Sequence, residues 1–486
     1  MPPSGYLTAS GIESCLQFLA STYPSICQLF AMPEQSVEGR TIRAVKIGKG
    51  SGPKRHGILF IGGVHAREIV NPDLLVSLAL KICQAYTGGT GLTFGPKSYP
   101  AGTIKLLVEA MDMYFLPLVN PDGRVFVQSP TGDAMWRKNR SLNPGQPCKG
   151  VDLNRNYDFL FTSGIGTSSS SCSDVFKGTA AFSEPETRNV RHMLDTFPHI
   201  CCMADVHSYM QLILHSWGDD DNQTTNATMN FQNPAFNGLR GNPGDSVYKE
   251  FIPAADLDFM VQAGNSMRDA IAAVRGRVYT VEQAVLLYPT SGTSKDYSYS
   301  RHFVNAAKRK VFAYTVETGT EFQPLYSEAL NIISEVSAGL IQFCIRCLCV
   351  VEETLAGTEL AGDLDDMRAF RDTEMFGTAA GRKFARLLED NSAELLELIL
   401  RDKTAKKQLL EVAKSVNEVV RSRTSSKPGV FDSKTISAAE KLLRSFRGKG
   451  SPALKAAIVE VEGDLKHFRG KTVLNGLKAA SKSKSK

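Results

Sequence analysis

Short apolar runs, each bounded by glycine, proline or polar residues, recur along the first 350 residues of the chain. Four of them have the length and composition of buried strands: Ile58–Ile61, Met113–Leu116, Cys201–Val206 and Val311–Val316. Between them, Pro72–Ala85 and Glu184–Phe197 are predicted to be helices, and the second begins with the proline and carboxylates favoured in a first helical turn. Strands that alternate with helices predict an α/β fold whose sheet is covered by helices on both faces.

A polar stretch, Asp219–Glu250, interrupts this pattern and is rich in asparagine, aspartate, glycine and proline. A loop of this length inside a compact domain is often functional, but a tolerated surface insertion has the same composition. The sequence leaves both interpretations open.

After about residue 355 the pattern changes, because tyrosine and tryptophan vanish and alanine, leucine, lysine and glutamate dominate. Four segments there show helical spacing of apolar residues: Lys383–Leu400, Ala405–Arg423, Lys434–Phe446 and Pro452–Phe468. Ser451 and Pro452 are the residue types favoured at the N-cap and first position of a helix. We therefore predict a linker at 351–378, a small all-α module at 379–480 and a disordered basic tail at 481–486.

Charge follows the same division of the chain. The formal net charge is +6, yet residues 401–486 carry 21 basic and 8 acidic side chains, whereas residues 351–400 carry 5 basic and 12 acidic ones. A basic excess can bind nucleic acid, acidic proteins or anionic membranes, but no groove-reading motif accompanies it. We expect a solvated basic face with an acidic partner that the sequence does not identify.

Composition and apolar runs exclude several classes of protein. With 42% hydrophobic and 22% charged residues, the chain is not collagen-like, wholly disordered or a disulfide scaffold. No uninterrupted apolar run reaches the roughly 18–20 residues of a membrane span. The best candidate, Ile332–Val351, is broken by Glu335 and Arg346, so we predict a buried amphipathic helix and no membrane span. No signal peptide is visible at the N-terminus.

The ten cysteines are too sparse to be the main support of the fold. Cys344, Cys347 and Cys349 have the close spacing of a metal knuckle or redox motif. They lie on a strongly apolar helical stretch without a second ligand pair, so we predict buried thiols.

Candidate chemistry begins after the first predicted strand. His65 and Glu68, three residues apart, can turn an imidazole nitrogen and a carboxylate toward one point. Such a pair often arises by chance, and a lone strand-end histidine is more often a satisfied core residue. His207, which follows the run Cys201–Val206, offers the third protein ligand that a catalytic zinc site needs.

Further motifs give this cluster a context. Seven follow one another along the chain: His65-Ala-Arg-Glu68, Asn120-Pro-Asp-Gly123, Trp136-Arg-Lys-Asn139, Gly150-Val-Asp-Leu-Asn154-Arg155-Asn156, His207-Ser-Tyr209, Leu287-Tyr288-Pro-Thr-Ser-Gly292 and Thr315-Val-Glu317. In this order they resemble the zinc metallocarboxypeptidases of the pancreatic carboxypeptidase A/B type, from Tyr6 to about Cys349. The resemblance implies a mixed central β-sheet, a catalytic domain at 1–350 and hydrolysis of C-terminal peptide bonds.

The resemblance also implies a role for each matched position. His65, Glu68 and His207 would hold one Zn²⁺ ion, with a further coordination position for water. Glu317 ends an apolar strand, where an ionised group needs a partner or a function, and it would be the general base. Arg137 would stabilise the oxyanion that develops during hydrolysis.

On the substrate side, the resemblance implies that Arg155 clamps the free terminal carboxylate with its planar guanidinium, while Asn154 adds a hydrogen bond. Tyr288 would close over the bound residue, and Arg67 would help to form an outer subsite.

The chain departs from the family at the base of the pocket for the C-terminal side chain. Seven residues after Tyr288, where an apolar residue or an aspartate is usual, this chain has Lys295. A cation there would favour C-terminal Glu or Asp. Alternatively, Lys295 swings out or pairs with Asp296 and leaves a mixed pocket.

Cys148 and Cys172 flank the Asn154-Arg155 segment, where the family often has a disulfide. The resemblance thus implies an extracellular protein, whereas the missing signal peptide points to the cytoplasm. We expect a monomer that acts on peptide or protein C-termini. Acidic protein tails or cell-wall peptides are alternative substrates. A catalytically inactive binding module, in which the helical segment carries the function, is an alternative class.

Overall fold

The computed structural model describes residues 4–50, 55–348, 367, 370–375 and 377–482. The chain divides into two compact units. The first consists of Met1–Pro253 and Leu257–Cys347, and the second of Ala254–Asp256 and Leu348–Lys486.

Strands and helices alternate along the chain up to Cys347. The first half contains α1 (Ala9–Thr22), β1 (Cys27–Gln35), β2 (Thr41–Ile47), β3 (His56–Gly62), α2 (Val70–Gly88), β4 (Leu92–Phe94), β5 (Lys97–Tyr99), α3 (Ala101–Ala110), β6 (Met111–Leu116), α4 (Pro121–Gln128) and α5 (Pro185–Thr196). The second half contains β7 (Ile200–His207), β8 (Leu212–His215), β9 (Asn222–Gln223), β10 (Glu250–Phe251), α6 (Ala254–Arg275), β11 (Thr280–Gln283), α7 (Ser294–Val304), β12 (Phe312–Glu317) and α8 (Tyr326–Cys347).

The centre of the first unit is an eight-stranded sheet in the order β1-β2-β6-β3-β7-β12-β8-β11. Its middle strands β6, β3, β7 and β12 run parallel to one another, whereas β1, β2 and β8 pair antiparallel with their neighbours toward the middle of the sheet. Every residue of β3, β6 and β7 is buried, which is typical of strands covered on both faces. In β12, four of the six residues are buried, so all four predicted strands are present and largely buried.

Neighbouring residues of β7 show that helices cover both faces. Cys202 is disulfide-bonded to Cys347 of α8, and the sulfur of Met203 accepts a hydrogen bond of 3.2 Å from the Ser298 hydroxyl of α7. Successive side chains of a strand point to opposite faces, so α8 and α7 lie on opposite sides of the sheet. The expectation of a mixed sheet covered on both faces is confirmed.

Helix α8 corresponds to the predicted amphipathic helix Ile332–Val351, although it ends at Cys347, and residues 349–351 lie outside the described residues. Within the described part of the chain, α8 is the helix long and apolar enough to cross a membrane by length and composition. Because 72% of its apolar window is buried, it has the character of a core helix.

The prediction of buried thiols near the end of α8 is wrong for Cys347, which forms a disulfide with Cys202. Cys344 is a buried free thiol, as predicted, and Cys349 lies outside the described residues. The disulfide partners are 145 residues apart in sequence, and the packing of α8 on β7 brings them together. Spacing along the chain cannot reveal such a pair.

The polar stretch Asp219–Glu250 is an ordered loop with little regular structure. Its backbone is held by carboxylates: Asp220 accepts a hydrogen bond from the N–H of Gly241, and Glu250 accepts one from the N–H of Phe231. Asparagine and aspartate are frequent in such loops because their side chains can replace backbone partners.

The second unit is helical. After a helical turn at Arg371–Met375, it contains α9 (Ala379–Asp390), α10 (Ser392–Arg401), α11 (Lys403–Arg421), α12 (Ser433–Lys449), α13 (Pro452–Leu465) and α14 (Val473–Lys482). Ser451 caps α13 as predicted, since its hydroxyl accepts a hydrogen bond from the N–H of Leu454. Val420, Phe431 and Phe468 belong to a buried apolar cluster in this unit.

Three details of this unit differ from the prediction. The segment Lys383–Leu400 forms two helices, because the Asn391 side chain donates to the carbonyl of Leu387 at 2.7 Å and competes with the helical backbone. Helix α14 was not predicted. It includes Ser481, whose hydroxyl donates to the carbonyl of Leu477 at 2.8 Å, so the predicted disordered tail 481–486 is wrong for its first two residues. Residues 483–486 and most of the predicted linker 351–378 lie outside the described residues.

Candidate functional site

Three parallel neighbours in the sheet bring the candidate residues to one edge. Strands β3, β7 and β12 run in the same direction, so their carboxyl ends meet. Glu317, the last residue of β12, pairs in register with His207, the last residue of β7. Gly62, which ends β3, pairs with Val206, and the turn that follows it carries His65.

His65, Glu68 and His207 form a buried cluster whose ligand atoms all lie within 4.8 Å of one another. The Glu68 carboxylate contacts Nδ1 of His65 at 2.7 Å and Nδ1 of His207 at 3.0 Å. The two Nδ1 atoms are 3.1 Å apart. Two imidazole nitrogens and a carboxylate that converge in this way can hold a metal ion.

Two aspartates contact the ring nitrogens of the histidines that face away from the cluster. Nε2 of His65 lies 3.0 Å from Asp152, and Nε2 of His207 lies 3.0 Å from Asp205. Carboxylates in this position orient metal-binding imidazoles and fix the ring nitrogen that faces the metal. Neither aspartate was predicted. Asp205 had a signal, because it precedes His207 by two residues in a strand and therefore lies on the same face.

Opposing charges set the protonation of the cluster. Burial alone would raise the pKa of Glu68, but the charges of His65 and His207 outweigh it and lower that pKa below its usual range. Burial would lower the pKa of His207, yet Asp205 and Glu68 raise it well above the usual value. Since a metal binds the neutral imidazole, a cation at this point would displace the proton.

Glu317 lies beside the cluster without belonging to it. Burial is the largest cause of its raised pKa, about 8, and the charges of His207 and Arg137 oppose the rise whereas Glu68 adds to it. A carboxyl group that titrates near neutral pH can both accept and release a proton.

Arg137 is held against the cluster by Asp152. Its Nε and Nη2 donate to the same carboxylate oxygen at 3.1 and 2.9 Å, and Nη1 lies 3.9 Å from Glu68. Burial would lower the pKa of Arg137, but Asp152 and Glu68 outweigh it and keep the guanidinium charged.

Arg155 offers a buried donor. Its Nη1 donates to the carbonyl of Asn154 at 2.6 Å and its Nε to the carbonyl of Gly166 at 3.1 Å, whereas Nη2 is buried with no hydrogen-bond partner among the described residues. The Asn154 amide nitrogen lies 3.5 Å from Nε2 of His207, and the half-exposed ring of Tyr288 lies 5.8 Å from the Arg155 guanidinium. A buried unpaired donor is costly unless a ligand satisfies it.

Lys295 is the second residue of α7 and is buried, with Nζ donating to the carboxylate of Asp296. Burial lowers the pKa of Lys295, while Asp296 and Asp219 act in the opposite direction. Asp296 also accepts hydrogen bonds from the Thr293 hydroxyl at 2.9 Å and from the N–H of Gly218 at 3.2 Å. The structure thus contains the Lys295–Asp296 pair that the sequence left as an alternative.

The two remaining predicted features lie on nearby loops. The guanidinium of Arg67 lies 4.3 Å from the centre of the Phe322 ring and 3.4 Å from the carboxylate of Asp174. Cys148 and Cys172 form a disulfide.

Comparison with known proteins agrees with this geometry. The zinc carboxypeptidase family model matches residues 12–337. Carboxypeptidase B of Helicoverpa zea is 36% identical over 47% of this chain and 50% of its own length, and carboxypeptidase A4 of Mus musculus is 30% identical over 58% and 56%. The chain thus spans about half the length of these two relatives. Carboxypeptidase B of Astacus astacus is 30% identical over 63% of this chain and 84% of its own.

Two solved structures share the fold. Bovine thrombin-activatable fibrinolysis inhibitor, in complex with tick carboxypeptidase inhibitor, has a TM-score of 0.54 at 23% identity over 71% of this chain and 97% of its own. Carboxypeptidase A from Helicoverpa armigera has a TM-score of 0.52 at 23% identity over 70% and 74%. Because the family model matches more than half of the residues, the chain belongs to the zinc carboxypeptidase family.

Proposed function

We propose that the chain is a zinc-dependent metallocarboxypeptidase that hydrolyses the C-terminal peptide bond of peptides or proteins. Residues 1–350 form its catalytic domain, and 351–378 link it to a helical module at 379–480. The observation that carries the proposal is the convergence of His65, Glu68 and His207 within 4.8 Å, at the sheet edge that Glu317 also occupies.

The donor set fits zinc. Catalytic zinc sites commonly use three protein ligands of this kind, and each histidine here is backed by a carboxylate. When bound there, zinc supplies a Lewis acid that polarises the scissile carbonyl and makes water acidic enough to attack at neutral pH.

The protein's own groups carry the remaining steps. Nη2 of Arg155 and the amide of Asn154 bind the free terminal carboxylate, which restricts the reaction to the last residue of a chain. Tyr288 closes over the bound residue, and Arg67 helps to form an outer subsite. Glu317 accepts the proton of the attacking water and delivers it to the leaving amine.

Arg137 stabilises the developing oxyanion. Two of its nitrogens are occupied by Asp152, which fixes the guanidinium plane and leaves Nη1 for the substrate oxygen. A donor that is already in place needs no reorganisation when charge develops.

We further propose a preference for C-terminal Glu or Asp because of Lys295. An ammonium group has three donors, and Asp296 is the one hydrogen-bond acceptor for Nζ within the described residues, so two donors are left for a substrate carboxylate. The competing interpretation is that the Lys295–Asp296 pair is self-contained and the pocket is mixed.

Matched peptides that end in Glu, Phe or Lys test this preference through kcat/KM. The wild type is expected to favour Glu, and Lys295→Met is expected to move the preference to Phe. A clear wild-type preference for Phe or Lys would reject the acidic preference and leave the peptidase proposal intact.

The peptidase activity itself is tested with the same peptides and with C-terminally amidated copies as controls. We expect release of the last residue from free C-termini only, loss of activity with a chelator and recovery with Zn²⁺. Glu317→Gln should reduce kcat by about 10²–10⁴-fold and still bind zinc. If the zinc-loaded protein cleaves none of these peptides, nor acidic protein tails or cell-wall peptides, the inactive binding module is the correct interpretation.

A further inference from the structure

The second unit contains a cavity of about 310 Å³ between its helices. Fifteen of the sixteen residues that line it are apolar, and Thr435 is the exception. They come from five of the helices, α9 to α13, together with Phe431 and Phe468, which lie outside the helices. The cavity therefore lies between the helices of the bundle and is partly open to solvent.

Several lining side chains are incompletely buried although they point inward. Ten of the sixteen are only partly buried, and they include Leu387, Leu388, Leu443, Val461 and Leu465. The interior of a folded protein is normally close-packed, and voids larger than a water molecule are few. Inward leucines with accessible surface therefore indicate a space that suits a ligand.

The lining determines the chemistry of that ligand. An apolar cavity does not hold water well, because a buried water needs two to four polar partners. Its volume lies at the lower end of the range of small-molecule sites. A methylene group takes about the volume of one water in the liquid, roughly 30 Å³, so the cavity holds a chain of about ten carbons.

The net charge of the module indicates which polar group the ligand carries at the end of its apolar chain. Residues 379–480 carry 21 basic and 12 acidic side chains, and such an excess attracts anions to the surface. An apolar tail of about ten to twelve carbons that ends in an anion is a medium-chain fatty acid.

We propose that the helical module binds a free medium-chain fatty acid, with its acyl chain in the cavity between α9 and α13 and its carboxylate at the basic surface. The site is separate from the metal cluster, so fatty-acid binding does not depend on peptidase activity.

Calorimetric titration of the full chain with laurate tests the proposal, with hexanoate as the short-chain comparison. We expect laurate to bind and hexanoate to bind far more weakly, since each methylene buried adds about four-fold in affinity. If laurate does not bind below its micelle concentration, or binds no better than hexanoate, the proposal is wrong.

Two neighbouring alanines of α13 provide a matched pair of variants. Ala457 lines the cavity and is buried, whereas Ala456 is exposed and does not line it. Ala457→Leu should lower laurate affinity at least ten-fold without lowering Tm, because it fills empty space, and Ala456→Leu should stay within two-fold of the wild type. Equal laurate affinity in both variants would overturn the proposal.

Two further measurements keep the test decisive. If Ala457→Leu does not fold, Ala439→Leu on α12 makes the same test from another wall of the cavity. Vesicles of phosphatidylglycerol distinguish binding of a free fatty acid from binding to a membrane surface. Vesicle binding that Ala457→Leu leaves unchanged, together with no binding of laurate, would assign the basic surface to membranes and reject the proposal.

Discussion

Asp152 is the residue whose change most directly tests the proposed site. One of its carboxylate oxygens contacts Nε2 of His65 at 3.0 Å and accepts a hydrogen bond from the N–H of Asn154 at 3.0 Å, while the other accepts both bonds from Arg137. Asp152→Asn keeps the shape but replaces one oxygen by an NH₂ group. If the NH₂ group replaces the first oxygen, it faces the N–H groups of His65 and Asn154. If it replaces the second, it faces the N–H groups of Arg137, so either orientation places two donors against each other.

The size of the effect follows from these contacts. Loss of a carboxylate behind a metal-binding histidine typically costs 10–100-fold in metal affinity, which is about 1.4–2.7 kcal/mol. Because one buried donor is left unsatisfied, the metal-free protein should lose about 1–3 kcal/mol of unfolding free energy. Catalysis should fall further, since Arg137 loses the partner that fixes its plane.

Three assays separate these effects. Competition with a chelator gives the dissociation constant for zinc, urea denaturation gives the free energy of unfolding, and kcat/KM is measured at saturating zinc. Asp269→Asn is the control, because that carboxylate is exposed and pairs with Arg268 on α6. A zinc dissociation constant for Asp152→Asn within two-fold of the wild type would refute the role assigned to Asp152.

Three further predictions concern binding, the second disulfide and pH. Arg155→Lys should lower kcat/KM by about 100-fold and leave zinc affinity unchanged, because an ammonium cannot replace the planar fork; an unchanged kcat/KM would exclude the carboxylate clamp. Replacing Cys202 and Cys347 by alanine should lower the free energy of unfolding by about 2–5 kcal/mol in denaturation experiments, and no loss would contradict a structural disulfide. Burial raises the pKa of Glu186 from 4.5 to about 7, so the folded state binds more protons than the unfolded state between these values and loses stability as pH rises through them. Glu186→Gln should therefore remove a loss of about 3 kcal/mol between pH 5 and pH 8, and an equal pH dependence in both proteins would refute this origin.

The sequence predicts the centre of the sheet better than its margins. β3, β6, β7 and β12 are mostly apolar because helices cover both faces of the sheet, so composition reveals them. β1 has buried and exposed residues without strict alternation, and β11 has no fully buried residue. Such edge strands have little sequence signal, because their register is decided by neighbouring strands that are distant in sequence.

Within the site, motif order identified residues that the fold brings to one sheet edge, but it missed the aspartates that contact the two histidines. His65 and Asp152 are 87 residues apart, so their contact depends on how folding brings two distant segments together. The unpaired Nη2 of Arg155 could not be inferred either, because its existence depends on where the other two nitrogens are bonded. Both features require the folded structure, because it decides which polar groups meet and which remain without a hydrogen-bond partner.

The charge around Lys295 also depends on contacts that form only in the folded chain, and it yields a final prediction. Burial and the nearby Glu250 raise the pKa of Asp219 well above its usual range. Asp296 is the carboxylate that accepts the hydrogen bond of the Lys295 ammonium. A substrate carboxylate must therefore compete with Asp296 for the Lys295 ammonium. Asp296→Asn removes the competing charge while its amide oxygen can still accept from Gly218. The ratio of kcat/KM for Glu-ended over Phe-ended peptides should rise in this variant, and a ratio that falls would mean that Lys295 does not face the bound side chain.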